Sequence, residues 1–306
     1  MLPDLAILYE HPSWFQPLFR ALEARGVAIA AIDMNRHVLD LAAPPPAPVI
    51  LSRLGMSAAQ REPEHPIFYA AAAMDHWRRQ GARVLNGPEV LALDASKARQ
   101  LALIQSLGLA TPVTRVVHRT ADLLAAAEGM TFPLLIKANI GGAGAGIVRY
   151  NSRAELERSV KDGSTPSSID QVRLVQDYVP PQGGTIFRLE TLAGRFLYAL
   201  EVESGGESFD LCPADACIAQ PGRAAIAMRA VEPSEALIHA AERIAQAVGM
   251  DVGGVEVVID DRDGTPRFYD LNALSNFVAN PLDVLGWDPH DRLVDHLQSI
   301  IAAEHA

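Results

Sequence analysis

The sequence predicts an α/β protein whose first third is an open, mainly parallel sheet and whose remainder is a β-rich region punctuated by glycine. Three observations point there. Short apolar runs alternate with helical patterns up to about residue 93, apolar strands separated by glycine follow from Phe132 onward, and one long helix from Ser234 to Val248 precedes a closing pair of strands. With 306 residues, 49% of them hydrophobic and 21% charged, the chain can bury a large core and is too long for one small domain. Two or three packed units are expected.

Taken in order, LAILYE is a strand, a helical pattern from about Trp14 to Arg25 stops at Gly26, and VAIAAID is a second strand. The proline cluster from Pro44 to Pro48 reads as a loop, PVILSR as a third strand, and the alanine-rich stretch from Phe68 to Gln80 as a helix ending at Gly81. This unit ends near Leu93. A capped helix follows, with Asp94 or Ser96 as N-cap and Gly108 as its stop, leading into the strand TPVTRVV. PLLIKA, GIVRY, LVQDYV, IFRLETL and RFLYALEVE are further strands, and GGVEVVID and PRFYDLNA form a hairpin through Asp261 to Thr265.

Composition excludes several function classes. No basic stretch leads into an apolar h-region, and no apolar run approaches the roughly 20 residues of a spanning helix, so a soluble, unprocessed chain with no membrane partner is expected. Cys212 and Cys217 cannot build a disulfide framework and lack the second ligand pair of a structural zinc site, which makes them buried small hydrophobes and the cytoplasm the expected compartment. A net charge of −11 opposes a nucleic-acid partner, because such binders use Lys and Arg to displace counterions from phosphates. A small-molecule partner fits better.

Lys137 ends an apolar strand just before the segment Gly141-Gly142-Ala143-Gly144-Ala145-Gly146. Backbone without Cβ can approach an anion closely, and a lysine at the strand end supplies a point charge for the same phosphates. Glycine-rich strand connections are common, so this feature needs support from elsewhere. The closing hairpin provides it by bringing Glu256, Asp270 and Asn272 near one another, the hard oxygen ligands Mg²⁺ uses when substrate phosphates complete its shell. An exposed, solvated acidic pair is the plain alternative, but both acids sit within apolar strands, where an idle placement is costly.

Together these pieces resemble the ATP-grasp superfamily over nearly the whole chain. VILSRLGMS, RQGARVLNG, SKARQLALIQSLGLATPVT, FPLLIKANIGGAGAGI, LVQDYV, FRLE, and the closing GVEVV and YDLNALSN occur in that family's order, and the match is closest to its ribosomal-protein glutamate ligase and glutathione synthetase-like group. The resemblance implies that Lys97 and Lys137 contact ATP phosphates and that the glycine loop, with Gly142 and Gly144, folds over them as a lid. It implies that the backbone at Gln176, Asp177 and Val179 reads the adenine edge, that Arg188 stands at the transferred phosphoryl, and that Glu256, Asp270 and Asn272 hold Mg²⁺, with Mn²⁺ as an alternative. Arg53 matches an arginine that could hold a substrate carboxylate, although a strand-end arginine is as often a surface residue. Ser275 and Asn276 sit where relatives contact the acyl substrate. His11, Trp14 and Phe15 either line the substrate cleft or pack a helix start.

Three features depart from the pattern. Ile186 stands where many relatives carry an acid for the ribose, Glu256 and Asp270 exchange the usual Asp and Glu, and Glu201 and Glu203 occupy a place where some relatives are basic. The resemblance implies a pre-ATP-grasp unit at residues 1–93, a central lid unit at 94–172 and a C-terminal unit at 173–306, with ATP between the last two. The implied activity is carboxylate–amine ligation through an acyl phosphate, releasing ADP and phosphate. A phosphotransferase or a non-catalytic nucleotide-binding module are the alternatives. The carboxylate and amine substrates stay open among glutamate, another amino acid or a polyamine, as does the oligomeric state, although the resemblance favours a homo-oligomer.

Overall fold

The computed structural model describes residues 3–11, 13–61, 63–142, 144–204 and 227–306, so Cys212 and Cys217 lie outside the described residues. Its strands form three sheets. The first joins β1 (Leu5–Tyr9), β2 (Ile29–Asp33), β3 (Val49–Arg53) and β4 (Arg83–Leu85) in the order β2-β1-β3-β4, parallel throughout. Parallel strands covered on both faces should be apolar without alternation, and every residue of Val49–Arg53 is indeed buried. The helices Gln16–Ala24 and Ile67–Arg79 supply the crossovers, each followed by a glycine, Gly26 or Gly81, at positive φ.

The second sheet is antiparallel, with β5 (Thr114–Val117), β6 (Leu134–Ala138), β7 (Ile147–Tyr150) and β8 (Arg173–Asp177) in the order β5-β8-β6-β7. The strand LVQDYV therefore closes the central sheet, and the division expected at residues 172 and 173 is not where the sheets part. β8 runs antiparallel to β6 and fills the gap between β5 and β6, a non-local pairing that strand patterning alone does not reveal. The third sheet holds β9 (Thr185–Leu192), β10 (Arg195–Glu203), β11 (Met228–Val231), β12 (Val252–Ile259) and β13 (Pro266–Asn272), ordered β11-β10-β9-β12-β13.

Two helices pack where the sequence gives little notice of it. Ser96, not Asp94, caps the helix Lys97–Ser106, accepting from the Arg99 N–H at 3.3 Å. Although expected in the central unit, this helix lies on the third sheet, where Ile104 joins the apolar cluster of Leu189, Ala241, Val255 and Phe268. Its Gln100 side chain is fully buried and bonds both backbone groups of Leu271, at 3.1 Å each, thereby pairing the outer edge of β13. The C-terminal part also carries a second long helix, Pro289–Glu304, which the sequence analysis did not mark. Its Leu293, Val294, Leu297 and Ile300 pack against Leu5, Ile7 and Leu51 of the first sheet, tying the end of the chain to its beginning.

Candidate active site

The register of the third sheet builds the site. Across β9, β12 and β13, Arg188 lies opposite Glu256 and Glu256 opposite Asp270; the next like-facing row is Glu190, Gly254 and Asn272. Residues two apart share a face of a strand, so these six positions form one two-by-three grid on one side of the sheet. A β-bulge between Glu256 and Val257 inserts Tyr269 into β13, and Tyr269 and Asp270 both line the cleft as a result.

The grid is densely charged and its charges are paired. Arg188 Nε donates to Glu190 Oε1 at 2.6 Å, Nη1 to Glu256 Oε1 at 3.1 Å, and Nη2 to Ser275 Oγ at 3.4 Å. Asn272 Nδ2 also donates to Glu256 Oε1, at 3.2 Å. Lys97 Nζ forms an ion pair with Asp270 from the first turn of its helix. Burial opposes charge on Arg188 and on Lys97, yet Glu190 and Glu256 hold the guanidinium above its ordinary pKa, and Asp270, Glu256 and Asp94 do the same for the ammonium. Burial and the facing Asp270 carboxylate raise Glu256.

Lys137 stands on β6, across the cleft from this grid, with its Nζ 5.4 Å from the centre of the Tyr269 ring. Burial, with the like charge of Lys97, pushes its ammonium down to about 8. The glycine loop after β6 turns back on itself: Ala145 N–H donates to Gly142 O at 3.1 Å, and Gly144 and Gly146 have positive φ. A Cβ on Gly146 would come within 2.8 Å of Ala138 Cβ, so the turn needs glycine there. Gly142 packs against Ser57 of the first unit, and Gln60 Nε2 donates to its carbonyl at 3.0 Å.

These parts enclose one cleft of about 220 Å³, lined by Lys97, Lys137, Gly142, Gly144, Gln176, Asp177, Val179, Arg188, Glu256, Asp270, Asn272 and Asn276 among others. At the β8 end, Asp177 N–H donates to Val113 O and Tyr178 N–H to Pro133 O, whereas the Val179 N–H has no hydrogen-bond partner among the described residues. The Gln176 amide is turned to Thr114 Oγ1 at 2.8 Å, and the Asp177 carboxylate pairs with Arg262 at 2.9 Å. Ile186 and Val258 add apolar lining beside Val179. No cluster of three or more His, Cys, Asp or Glu suited to a metal exists among the described residues, so the candidate ligand set is two carboxylates and one amide.

Two expected substrate residues are placed behind the cleft wall. Arg53, 2% exposed, donates through Nη2 to the Ser275 carbonyl and lies 5.9 Å from the Phe15 ring centre; neither it nor Ser275 lines the cleft. Burial lowers the Arg53 guanidinium to about 10, countered by Glu190, which still leaves it charged at neutral pH. Asn276 does line the cleft, with its Oδ1 buried and unbonded. Of the N-terminal aromatic group, Trp14 reaches the cleft, stacked on His11 at 4.3 Å and under Arg61 at 4.7 Å, while Phe15 is core.

Sequence reasoning missed three neighbours. Asp94, considered only as a helix cap, lines the cleft near Asp270 and Lys97, and burial together with Asp270 raises its carboxyl to about 7. Tyr269 lines the cleft, and burial with the adjoining Glu256 carries its hydroxyl well above the ordinary range. Glu190 is fully buried. The signal for Glu190 was its spacing, two residues after Arg188 in FRLE.

No protein-family model matches the chain. Over 209 residues it is 29% identical to a protein of Citrobacter koseri named probable alpha-L-glutamate ligase, an alignment covering 67% of this chain and 64% of that protein, so just under two thirds of that relative is spanned. It is 24% identical over 287 residues to a protein of the same name from Thioalkalivibrio sulfidiphilus, covering 88% and 87%. The fold matches that of the ATP-grasp ligase PsnB, solved with a minimal precursor, Mg and ADP, with a TM-score of 0.68 over 97% of each chain at 17% identity. The chain therefore has the fold of the ATP-grasp ligases.

Proposed function

We propose that the chain is an ATP-dependent carboxylate–amine ligase that works through an acyl phosphate. The observation that carries this reading is the row Arg188–Glu256–Asp270, flanked by Lys97 and Lys137 in one cleft between β8 and the glycine loop. Three cations and two acids converge where a polyphosphate and a divalent metal would share charge, and phosphoryl transfer is helped mainly by such placement. Lys97, Lys137 and the backbone of the loop at Gly142 and Gly144 take the phosphates. Gln176, Asp177 and Val179 border the base, with the unpaired Val179 N–H as its donor and Ile186 and Val258 as apolar walls.

Glu256, Asp270 and Asn272 fit Mg²⁺ or Mn²⁺ by chemistry: all three offer hard oxygens, and the raised Glu256 carboxyl marks two acids crowded enough to gain from a shared cation. Mg²⁺ would supply positive charge against the negative charge that develops on the phosphoryl group. A substrate carboxylate oxygen bonds to the γ-phosphorus as the bond to the β-phosphate oxygen breaks, releasing ADP. The amine nitrogen then bonds to the acyl carbon, the carbon–oxygen bond to phosphate breaks, and the amine gives up a proton. Arg188 donates to the phosphoryl and acyl oxygens throughout. Asn276, with its unbonded amide oxygen, is the substrate contact best placed in the cleft; Arg53 and Ser275 support the wall behind it.

Sheet pairing supports moving the second boundary from residue 172 to just past Asp177, and the first is kept near residue 93 from the sequence. Among the described residues no helix is long and apolar enough to cross a membrane, and a cytoplasmic location rests on the composition. Small-molecule carboxylate and amine partners, and a homo-oligomer, rest on the resemblance. The test is hydroxylamine capture with ATP, Mg²⁺ and pooled carboxylates. A hydroxamate formed together with ADP is expected; steady ADP release with no trapped acyl species would overturn ligation in favour of a phosphotransferase acting on a hydroxyl.

A further inference from the structure

Glu190 is an unusual residue to find at this depth, because an acid is seldom fully buried without a strong partner. Its partner is the Nε–H edge of Arg188 at 2.6 Å, the shortest of the three Arg188 contacts. An arginine fork is planar, so fixing the Nε edge also fixes the direction of both terminal nitrogens. Here those nitrogens are directed at Glu256, which lines the cleft, and at Ser275 in the wall behind it.

The sequence makes room for this clamp at one position. Gly254 lies opposite Glu190 on β12, and a Cβ there would stand 2.9 Å from Glu190 Oε1 and 3.0 Å from both Nε and Nη2 of Arg188. The positive charge of the buried Arg53 also acts on Glu190, so this one buried carboxylate answers to two buried guanidinium groups. Glu256 differs in kind from Glu190. It is a candidate metal ligand and holds Arg188 at the longer distance of 3.1 Å, so its contact with the arginine is the one that can be exchanged.

We propose that Glu190 is a positioning residue for the ligase reaction, holding the Nε edge of Arg188 so that its terminal nitrogens stay aimed at the reacting phosphoryl when Glu256 is taken up by the metal. This rests on the ligase reading above. Glu190 touches no substrate; it acts through Arg188, and Gly254 is the space in which it does so.

The test is a double-mutant cycle on the full chain with Glu190→Gln, Arg188→Lys and the pair together. Glu190→Gln keeps an oxygen for the Nε–H but removes the charge. It should lower kcat by about tenfold, the scale of losing a residue that orients a site's ligand, with KM for ATP changed less than about threefold. Arg188→Lys should cost on the order of 10²-fold in kcat. The pair should match Arg188→Lys within about twofold, because a residue acting only through Arg188 has nothing left to position. Gly254→Ala, which alters no charge, should reproduce the kcat loss of Glu190→Gln while the variant still unfolds cooperatively.

Losses that multiply in the double variant, or full turnover in Glu190→Gln, would overturn the proposal. The affinity of Mg²⁺ with a non-hydrolysable ATP analogue, read by calorimetry, separates this outcome from failure of the ligase reading. If no substrate mixture supports turnover, the same cycle is read on that affinity. Glu190→Gln should then weaken analogue binding in the Arg188 protein and leave it unchanged in Arg188→Lys, and equal effects in both would overturn the proposal.

Discussion

Replacing Asp270 by Asn keeps the volume of the side chain and removes one charge from the centre of the site. Two large electrostatic effects then change with opposite sign. Asp270 forms an ion pair with Lys97, both side chains being mostly buried, and at ~4 Å with an effective dielectric constant of ~20 such a pair is worth about 4 kcal/mol. It also faces Glu256 across the strand register, where a like charge at ~5 Å costs about 3 kcal/mol on the same scale. The difference is about 1 kcal/mol, and Lys97 keeps the attraction of Glu256 and Asp94, so the unfolding midpoint should move by only a few degrees. Catalysis has no such compensation. With one of two carboxylates lost, the phosphoryl group is deprived of metal charge, and turnover should fall on the order of 10²-fold or more. The assay is phosphate release against Mg²⁺ concentration, paired with calorimetric titration of ADP with and without Mg²⁺. Near-normal turnover with an unaltered Mg²⁺ dependence would refute the assignment of Asp270, and the roles given to Glu256 and Asn272 would fall with it.

Lys137, brought down to about 8 by burial and by Lys97, is charged at pH 7 and loses its proton as pH rises through 8. ADP affinity should therefore weaken between pH 7 and 9, with proton uptake on binding near pH 8. Both effects should vanish in a folded Lys137→Ala variant that binds ADP more weakly, and equal calorimetric heats in buffers of different ionisation enthalpy would remove Lys137 from the phosphate site. Asp94, raised to about 7 by burial and by Asp270, binds its proton more tightly in the native state than in the unfolded one. Its contribution to stability is present in full below about pH 4 and is lost as pH rises toward 7. Asp94→Asn should therefore gain on the wild-type chain across that window by about 1–2 kcal/mol after allowance for its partial exposure, and parallel stability curves from denaturant titrations at pH 4 and 7 would contradict this.

The elements that carry the site were readable because each depends on local pattern. Apolar runs separated by glycine marked β6, β9, β12 and β13, and the turn from Asp261 to Thr265 marked the hairpin that sets Glu256 against Asp270. What the sequence withheld depends on pairing at a distance. β8 looks like the start of a new unit until β5 and β6 are seen on either side of it. Arg53 reads as a strand-end cation near the cleft, but its fate is decided by the Ser275 carbonyl, far along the chain, which takes it into the wall. Glu190 resembles any acid in an alternating strand until Gly254 is placed opposite it. The helix Pro289–Glu304 is a different case, since its apolar positions recur at helical spacing behind the Asp288 cap and were available to be read.

The grid explains why a site this rich in charge can fold before any ligand arrives. An unpaired buried charge costs several kcal/mol, and three buried cations without partners would exceed the stability of an ordinary domain. The chain avoids this by matching each cation proposed for phosphate with an acid or a ring: Lys97 with Asp270, Arg188 with Glu190 and Glu256, Lys137 over the Tyr269 ring. Glu256 and Asp270 are also the acids that fit a metal. Drawing Lys97 and Arg188 toward phosphate therefore strands the two acids facing each other, while occupying the acids alone strands the cations. Either change by itself opposes burial, and both together restore neutrality, so the proposed function predicts that nucleotide and metal bind better as a pair than either one separately. Glu190 lies outside that exchange, because it binds the Nε–H of Arg188, which neither Glu256 nor Ser275 contacts.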